Sequence, residues 1–272
     1  MMKIGTKHPL KAKIILSFIL AFVILILNVP QDVNSATLST KALNWGYTKS
    51  KNHKTPVITK STLALLKENN AYYVHDTNDK VIYLTFDLGY ENGYTTKILD
   101  VLKKHKIKAS FFVCKAFIDS NPKGLKRMVK EGHVVANHTV NHIAFYKLSE
   151  DKIESELSRV EAAYKKVTGK PMVKIVRPPE GGYSEKSLAI TKELGYTTIF
   201  WSIALPNDWN MQDQPSKETT LALFKTQYHN GAIALLHGVS PAVANNLDGM
   251  LTELEKQGYE FRLVTDMAAD QK

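Results

Sequence analysis

Short apolar runs and helix-like stretches alternate along most of the chain. From residue 81 onward, runs rich in β-branched and aromatic residues recur, and the stretches between them have the spacing of amphipathic helices. The runs are VIYLTF (81–86), ASFFVC (109–114), HVVAN (133–137), VKIVR (173–177), TTIFWS (197–202), AIALLH (232–237) and FRLV (261–264). Strands that alternate with helices pair in parallel, so these seven units predict an α/β fold with a parallel barrel.

Two of the intervening stretches have the clearest helix signals. NGYTTKILDVLKKHK (92–106) places apolar residues three and four positions apart, which is the spacing of one buried helix face. SEDKIESELSRVEAAYKKV (149–167) begins with Ser149 as a predicted N-cap and has acidic residues in its first turn. Both stretches therefore predict helices that pack against the sheet.

The N-terminal segment has the layout of an export signal. An apolar run from Ile14 to Val29 follows four lysines and precedes a polar stretch with turn-forming residues. The run has about the minimum length of a membrane span, and VNSA (33–36) is only a fair cleavage site, so a signal peptide and a membrane anchor both stay open. A buried core helix is less favoured because of the basic flank. We expect an exported protein that works outside the membrane.

A polar, irregular stretch follows and predicts an N-terminal strap. NWGYTKSKNHKTP (44–56) is typical of an extended segment, and STLALLKENN (61–70) predicts a short helix that Ser61 and Thr62 start. The predicted organisation is a signal peptide or anchor at 1–36, the strap at 37–80 and one catalytic domain at 81–272.

Charge and cysteine content narrow the function classes. The chain has a net charge of +10; residues 1–36 contain four lysines and one aspartate, which is +3, so +7 falls on the rest. That surplus suits an acidic polymer such as the cell wall. It would also suit nucleic acid, but the basic residues are scattered and no nucleic-acid motif accompanies them, so most are expected to be solvated. The single cysteine, Cys114, excludes an internal disulfide and is expected to be a buried thiol.

Polar residues follow the predicted strands at the end where a parallel barrel has its active site. Taken singly, each has a simpler explanation: a helix cap, a surface imidazole, an ion-pair partner or a core histidine. Together they favour one functional pocket. They are Asp87, His138, His142, Arg177, Asp208, Trp209 and His237.

These groups could support metal-assisted hydrolysis of an amide. In HTVNH (138–142), histidines four apart would lie on one face of a helical turn and could bind one divalent cation, with coordination positions left for water and a carbonyl oxygen. Asp87 could then accept a proton from the water, and His237 could protonate the leaving amine.

The same residues resemble the motifs of carbohydrate esterase family 4, the NodB-type polysaccharide deacetylases. The five similar motifs are TFDLG (85–89), HTVNH (138–142), RPPEG (177–181), NDW (207–209) and LLH (235–237). The resemblance spans residues 81–265. It implies a deformed (β/α)7 barrel that removes N-acetyl groups from an amino sugar in a polymer.

The resemblance also implies a role for each motif residue. Asp87 would be the base, His237 the acid and Asp208 the group that orients that imidazole. The metal ligands would be His138 and His142. The remaining implied residues shape the groove: Arg177 would line it and hold charged neighbours, the backbone N–H of Glu180 after Pro179 would help bind the oxyanion, and Trp209 would border it.

A narrower resemblance points to the substrate. TFDLGYENGYT, RPPEGGYSE, NWGYTKSKNH and WSIALPNDWN are similar to segments of the muramic-acid de-N-acetylases of spore formers. This implies peptidoglycan glycan strands as the partner, δ-lactam formation in the spore cortex as the purpose, and a place in the forespore or spore envelope. The freed amine would close a lactam on the lactyl carboxylate, so an amidase that strips the peptide would act first.

Leu88 departs from the wider family, which places its third metal ligand there. Either the two histidines and waters hold the ion, with assistance from Asp87, or a nearby oxygen of Glu91 or Asn92 substitutes. Two imidazoles favour Zn²⁺. Glu180 also departs, because many relatives carry tyrosine.

Two other functions remain as alternatives. One is a wall-bound, glycan-binding pseudoenzyme that kept the groove and lost the metal. The other is a glycosidase, which the rim favours less because it offers imidazoles where a second carboxylate is needed.

Overall fold

The structure is a computed structural model that describes residues 38–49 and 52–268. The predicted signal peptide or anchor, with its apolar run at 14–29, lies outside the described residues. Within the described ranges, no helix has both the length and the apolar character needed to cross a membrane. The described residues from Ser39 onward form one unit.

Eleven strands and eight α-helices make up the described chain. The strands are β1 (Leu43–Asn44), β2 (Ala71–Tyr72), β3 (Val81–Leu88), β4 (Ser110–Val113), β5 (Val134–Asn137), β6 (Ile175–Val176), β7 (Gly182–Tyr183), β8 (Thr197–Ile199), β9 (Ile203–Ala204), β10 (Ala232–His237) and β11 (Glu260–Arg262). The helices are α1 (Lys60–Glu68), α2 (Thr95–Lys104), α3 (Lys115–Ser120), α4 (Pro122–Lys130), α5 (Glu150–Thr168), α6 (Glu185–Glu193), α7 (Lys217–Thr226) and α8 (Pro241–Lys256). Short 3₁₀ turns lie at Phe145–Lys147, Pro179–Gly181 and Asp266–Ala268.

Nine of the strands form one parallel sheet. Its order is β2-β8-β6-β5-β4-β3-β10-β9, and β11 pairs with the first half of β3. The two ends of this sheet approach each other: Val74, just after β2, forms a bridge to Ala232 of β10, and Ser202, just before β9, donates its N–H to Ile233 O at 2.9 Å. The sheet is therefore curled into an incomplete barrel, and the predicted deformed barrel is confirmed.

Alternation along β3 sorts its side chains onto two faces of the sheet. One set joins the large core cluster that the sheet shares with α2 and α8, and it comprises Ile82, Leu84, Phe86 and Leu88. The other set begins with Val81 and Tyr83 in the apolar interior of the curl. Because successive side chains of a strand point to opposite faces, Asp87 lies on the inner face and Leu88 on the helix face.

The predicted strands occur at their predicted places, with different lengths. VIYLTF extends to Leu88, AIALLH matches β10 fully, and VKIVR shrinks to the two residues of β6. The predicted helix at 149–167 is α5, which has Ser149 as its N-cap, although the Ser149 side chain makes no capping hydrogen bond.

The predicted start of the first helix is wrong by one residue. The helix α1 begins at Lys60 and its N-cap is Thr59, whose hydroxyl accepts a hydrogen bond from Thr62 N at 3.1 Å. Thr59 has extended backbone angles, as an N-cap residue requires, so the chain turns into the helix before the serine.

The strap before the barrel is tied to the rim. β1 pairs antiparallel with β7, and Trp45 stacks on Phe200 with 4.6 Å between ring centres. The backbone N–H of Trp45 donates to Gly181 O at 2.8 Å, and its indole Nε1–H donates to Trp201 O at 3.0 Å. The strap therefore supports the turn at Pro179–Gly181.

Candidate active site

A cavity of about 1000 Å³ opens at the carboxyl ends of the strands. Six of the nine residues predicted for the site line it: Asp87, His138, His142, Glu180, Trp209 and His237. The other three, Pro179, Arg177 and Asp208, are buried in its wall. The structure thus brings the predicted residues to one rim and separates those that face the cavity from those behind them.

Asp87 is held by a buried guanidinium. Arg177 is fully buried and donates from Nη1 to Asp87 Oδ1 at 2.7 Å. Its other nitrogens donate to Ile199 O and Phe200 O, each at 3.2 Å. Burial acts to raise the pKa of Asp87, but the charge and hydrogen bond of Arg177 outweigh it, so this pKa lies below its usual range. The expectation that Arg177 lines the groove is wrong, because its side chain is fully buried behind Asp87 and is not part of the described cavity lining.

His237 is held by a buried carboxylate, that of Asp208. The parallel register of β3 and β10 places it opposite Asp87. Its Nδ1 lies 2.7 Å from Asp208 Oδ1, and its backbone N–H donates to Asp208 Oδ2 at 2.7 Å. Burial acts to lower the pKa of His237, but the hydrogen bond and charge of the fully buried Asp208 raise it above its usual value. With Nδ1–H bonded to the carboxylate, Nε2 is the ring atom left for the cavity.

Gln214 holds the Asp208 loop, and sequence reasoning missed it. Its side-chain N–H groups donate to Asp208 O at 2.9 Å and Asn210 O at 2.8 Å. Its Oε1 accepts from the Ser240 hydroxyl at 2.7 Å, which joins the loop to the start of α8. Nothing in the local sequence distinguishes this glutamine from a solvated one.

The two histidines of HTVNH lie in an irregular loop, so the predicted helical turn is wrong. Thr139 and His142 both have left-handed backbone angles, with φ of 71° and 54°. His138 Nδ1 lies 2.8 Å from Arg177 O, and its Nε2 lies 3.2 Å from His142 Nε2. Burial lowers the pKa of His138 to about 4, so its imidazole is neutral, as metal ligation requires.

Glu156 of α5 holds this loop, and it too was missed. Its Oε2 accepts from Val140 N at 2.9 Å and Asn141 N at 2.8 Å, and its Oε1 accepts from Asn141 Nδ2 at 2.5 Å. These bonds replace the backbone bonds that a helical turn would make. The sequence offered Glu156 only as one acid within a helix pattern.

The histidine pair fits a divalent ion in part. A Zn²⁺ ion bound tetrahedrally at 2.0–2.1 Å holds its ligand atoms about 3.3 Å apart. The two Nε2 atoms are 3.2 Å apart, and Asp87 Oδ2 lies 3.5 Å from His138 Nε2. Within residues 38–49 and 52–268, however, no three His, Cys, Asp or Glu side chains form a complete metal cluster. Two imidazoles thus fit the ion, and a third protein ligand is not assembled.

Of the sequence candidates for a third ligand, Asp87 is among the described residues that line the cavity, and the substitutes Glu91 and Asn92 are not. Leu88 is buried on the helix face, where its Cδ2 would lie 2.3 Å from a Cβ added to Gly238. Glu91 is engaged by Gly93 N, the Thr95 hydroxyl and Asn121, and so organises the start of α2. The Asn92 amide donates to Val239 O at 2.9 Å. Neither Glu91 nor Asn92 is among the described residues that line the cavity.

The turn after β6 presents Glu180 to the cavity. Glu180 and Gly181 are left-handed, with φ of 58° and 63°. A Cβ at position 181 would lie 2.7 Å from Trp45 Cβ and 2.9 Å from Trp201 Cη2, so only glycine fits there. No Lys or Arg is among the described residues that line the cavity. The exposed carboxylate of Glu180 therefore faces histidines, and no Lys or Arg, among the described lining residues.

Exposed aromatic side chains border the same cavity. Trp209 is 59% exposed and Tyr90 is 47% exposed, and both line it. Ligand-binding clefts are typically lined by hydrophobic and aromatic side chains. Cys114 also contributes to the lining, where its buried thiol donates to His138 O at 3.0 Å, and burial raises its pKa. The prediction of a buried thiol is confirmed.

The fold and the site define a class: a curled parallel β/α barrel whose rim pairs a carboxylate with an imidazole beside two further histidines. Residues 74–199 match the family model described as polysaccharide deacetylase. The chain belongs to this family, the polysaccharide deacetylases of carbohydrate esterase family 4. The resemblance expected from the five motifs is confirmed.

Three comparisons give the degree of similarity. The chain is 44% identical over 225 residues to a peptidoglycan-N-acetylmuramic acid deacetylase, PdaA, of Bacillus subtilis, which covers 83% of this chain and 85% of that protein. The solved structure of B. subtilis PdaA, a family 4 carbohydrate esterase, aligns with a TM-score of 0.83 at 42% identity and covers 86% of this chain and 100% of that one. A family 4 pseudoenzyme from Bacillus anthracis aligns with a TM-score of 0.67 at 28% identity over 72% of this chain and 68% of that one.

Proposed function

We propose that this protein hydrolyses the N-acetyl amide of muramic acid residues in peptidoglycan. The observation that carries the proposal is the pair of oppositely tuned groups at neighbouring strand ends. Asp87 is held ionised by Arg177, His237 is held readily protonated by Asp208, and both face one cavity. The similarity to a relative named for N-acetylmuramic acid deacetylation supports this choice of substrate.

Each residue has a role in the proton transfers of this hydrolysis. Asp87 accepts a proton as water attacks the acetyl carbon, and the backbone N–H of Glu180 stabilises the oxyanion that develops. His237 then donates a proton to the nitrogen as the C–N bond breaks, which releases acetate and the free amine. Arg177 and Asp208 keep the base and the acid in their starting protonation states, and Pro179 and Trp209 shape the groove.

His138 and His142 are the residues that would hold a divalent ion, and Zn²⁺ suits two imidazoles best. When bound, such an ion supplies a Lewis acid that polarises the acetyl carbonyl and lowers the pKa of a coordinated water. The neutral state of His138 and the 3.2 Å between the two Nε2 atoms support this assignment.

The proposed place of action is outside the cytoplasmic membrane, on glycan strands of the wall. The apolar run at 14–29 would export the chain or anchor it. The product amine lies beside the lactyl carboxylate of the same sugar, so loss of water between them would close a δ-lactam. We therefore infer a role in spore-cortex modification, after an amidase has removed the stem peptide.

A catalytically impaired, glycan-binding protein is not favoured, even though a family 4 pseudoenzyme is among the similar structures. Asp87, Arg177, Asp208 and His237 are all present in bonded pairs. A binding protein needs no acid and base tuned in opposite directions.

The deciding experiment measures acetate release from peptide-free glycan strands, with and without a chelator. A matched arm uses strands whose muramic acid is already deacetylated, so that only N-acetylglucosamine can react. We expect acetate from the first strands and little from the second, and loss of activity with the chelator. Glycan binding without acetate release would establish the pseudoenzyme, and release only from N-acetylglucosamine would overturn the substrate.

A further inference from the structure

The loop that carries His138 and His142 is not held by its own backbone. Thr139 and His142 adopt left-handed angles, which residues other than glycine populate only when their surroundings impose them. The bonds within the loop are local: Thr139 N donates to Asn137 Oδ1 at 2.9 Å, and His142 N donates to the Thr139 hydroxyl at 3.0 Å. From outside the loop, Lys115 N donates to Thr139 O at 3.2 Å, which leaves the amides of Val140 and Asn141 to be fixed by another external group.

Glu156 is that external group. It is 6% exposed, and its two oxygens accept three hydrogen bonds from two consecutive loop residues, Val140 and Asn141. An ionised carboxylate accepts only, with about four lone-pair positions, so it matches three convergent donors without presenting a donor of its own. Glutamine has the same shape but one accepting oxygen, and its NH₂ group would face donors.

We propose that Glu156 is a positioning residue that sets His142 against His138. Val140 and Asn141 lie between the two histidines, so fixing their amides fixes the separation of the two Nε2 atoms, which is 3.2 Å. The proposed function does not say what holds the two histidines in place, and here that role falls to Glu156 of α5. The expected effect on metal binding rests on the proposed function.

The first test is titration of Zn²⁺ alone into the full chain and into Glu156→Gln. We expect the variant to bind Zn²⁺ at least tenfold more weakly, which is the usual loss when a group that orients metal ligands is removed. Glu131→Gln is the matched control: Glu131 also accepts a hydrogen bond, from Arg127 Nε at 2.9 Å, but is not among the described residues that line the cavity. Glu131→Gln should bind Zn²⁺ as the wild type does.

The second test does not require a metal. Amide hydrogen exchange at Val140 and Asn141 should be at least tenfold faster in Glu156→Gln and unchanged in Glu131→Gln. If wild-type chain binds no Zn²⁺, the metal leaves the proposed function, and these two exchange rates still decide the role of Glu156.

A third variant covers the case in which Glu156→Gln does not fold. Asn141→Ala removes one of the three donors from an exposed side chain and should weaken Zn²⁺ binding two- to fivefold. Saturating Zn²⁺ should restore much of the turnover lost in either variant, whereas a general structural defect would not respond to the ion. In a double-mutant cycle the two substitutions should be non-additive, because they break the same contact.

Two results would overturn the proposal. One is a folded Glu156→Gln protein with wild-type Zn²⁺ affinity and wild-type exchange at both amides. The other, if that variant is unfolded, is an Asn141→Ala protein whose affinity and exchange both match wild type.

Discussion

Asp208→Asn should move the pH profile of the enzyme in a defined direction. Asp208 is fully buried and bonds both the ring Nδ1 and the backbone N–H of His237, each at 2.7 Å. The substitution keeps the size of the side chain and removes its charge. Because the carboxylate raises the pKa of His237, the neutral amide should lower it.

The size of the shift follows from the lost interaction. A hydrogen bond to a charged group contributes about 1.5–3 kcal/mol, and one pKa unit corresponds to about 1.4 kcal/mol. We expect the pKa of His237 to fall by about 1–2 units. A general acid must be protonated, so activity is lost as the pH rises through this pKa. The basic limb of kcat/KM should therefore move to lower pH by about 1–2 units.

The assay is acetate release across the pH range, analysed as kcat/KM for the free enzyme. Asp213→Asn is the control, because Asp213 belongs to the same loop but bonds Asn207 Nδ2 at 2.7 Å and is exposed. Its profile should match wild type. A basic limb that stays in place in Asp208→Asn, or moves to higher pH, would refute the assignment of His237 as the acid.

Three further substitutions test the site from other sides. Asp87→Asn should abolish acetate release. It should also lower the free energy of unfolding, measured by calorimetry, by about 3 kcal/mol, because it leaves the Arg177 guanidinium buried without its anion. Near-normal turnover in the acetate assay would remove Asp87 from the mechanism. His237→Ala should reduce turnover by about 10²–10⁴ while glycan binding persists; a folded variant within a few-fold of wild type would end the general-acid role. Leu88→Asp tests the position of the family's third metal ligand, where the sequence alone predicts tighter metal binding. Because the Leu88 side chain is buried in the core, we expect lower thermal stability and, by calorimetric titration, an unchanged Zn²⁺ affinity. A tighter Zn²⁺ complex would show that the strand end rearranges.

The residues at the strand ends could be predicted to lie on one rim because two simple rules of parallel sheets apply. Parallel strands gather their carboxyl ends on one rim, and alternation along β3 decides which side chains face inward. Those rules bring Asp87 and His237 to one rim, and the structure adds that they occupy paired positions of neighbouring strands. The same alternation, read one residue further, places Leu88 on the helix face.

The residues behind the rim could not be predicted because their partners are distant in the chain. Glu156 and Gln214 look like ordinary solvated residues until the fold brings loop amides and carbonyls to them. The error at HTVNH has the same origin. A spacing of four favours a helical turn, but the carboxylate of Glu156 offers the amides of Val140 and Asn141 a stronger acceptor than the backbone would.

Asp87 and His237, the proposed base and acid, differ chiefly in the sign of the charge behind them. Arg177 stands behind Asp87 and lowers its pKa, and Asp208 stands behind His237 and raises its pKa. Arg177 and Asp208 are both fully buried, and they bond Oδ1 of Asp87 and Nδ1 of His237. Oδ2 of Asp87 and Nε2 of His237 are therefore left toward the cavity. The pKa values of Asp87 and His237 are thus set by buried neighbours, while the atoms that face the substrate are not engaged by these neighbours. It follows that changes to Arg177 or Asp208 should act on the pH dependence of turnover more than on the affinity for glycan. Changes to Trp209 or Tyr90, which line the cavity and are exposed, should do the reverse.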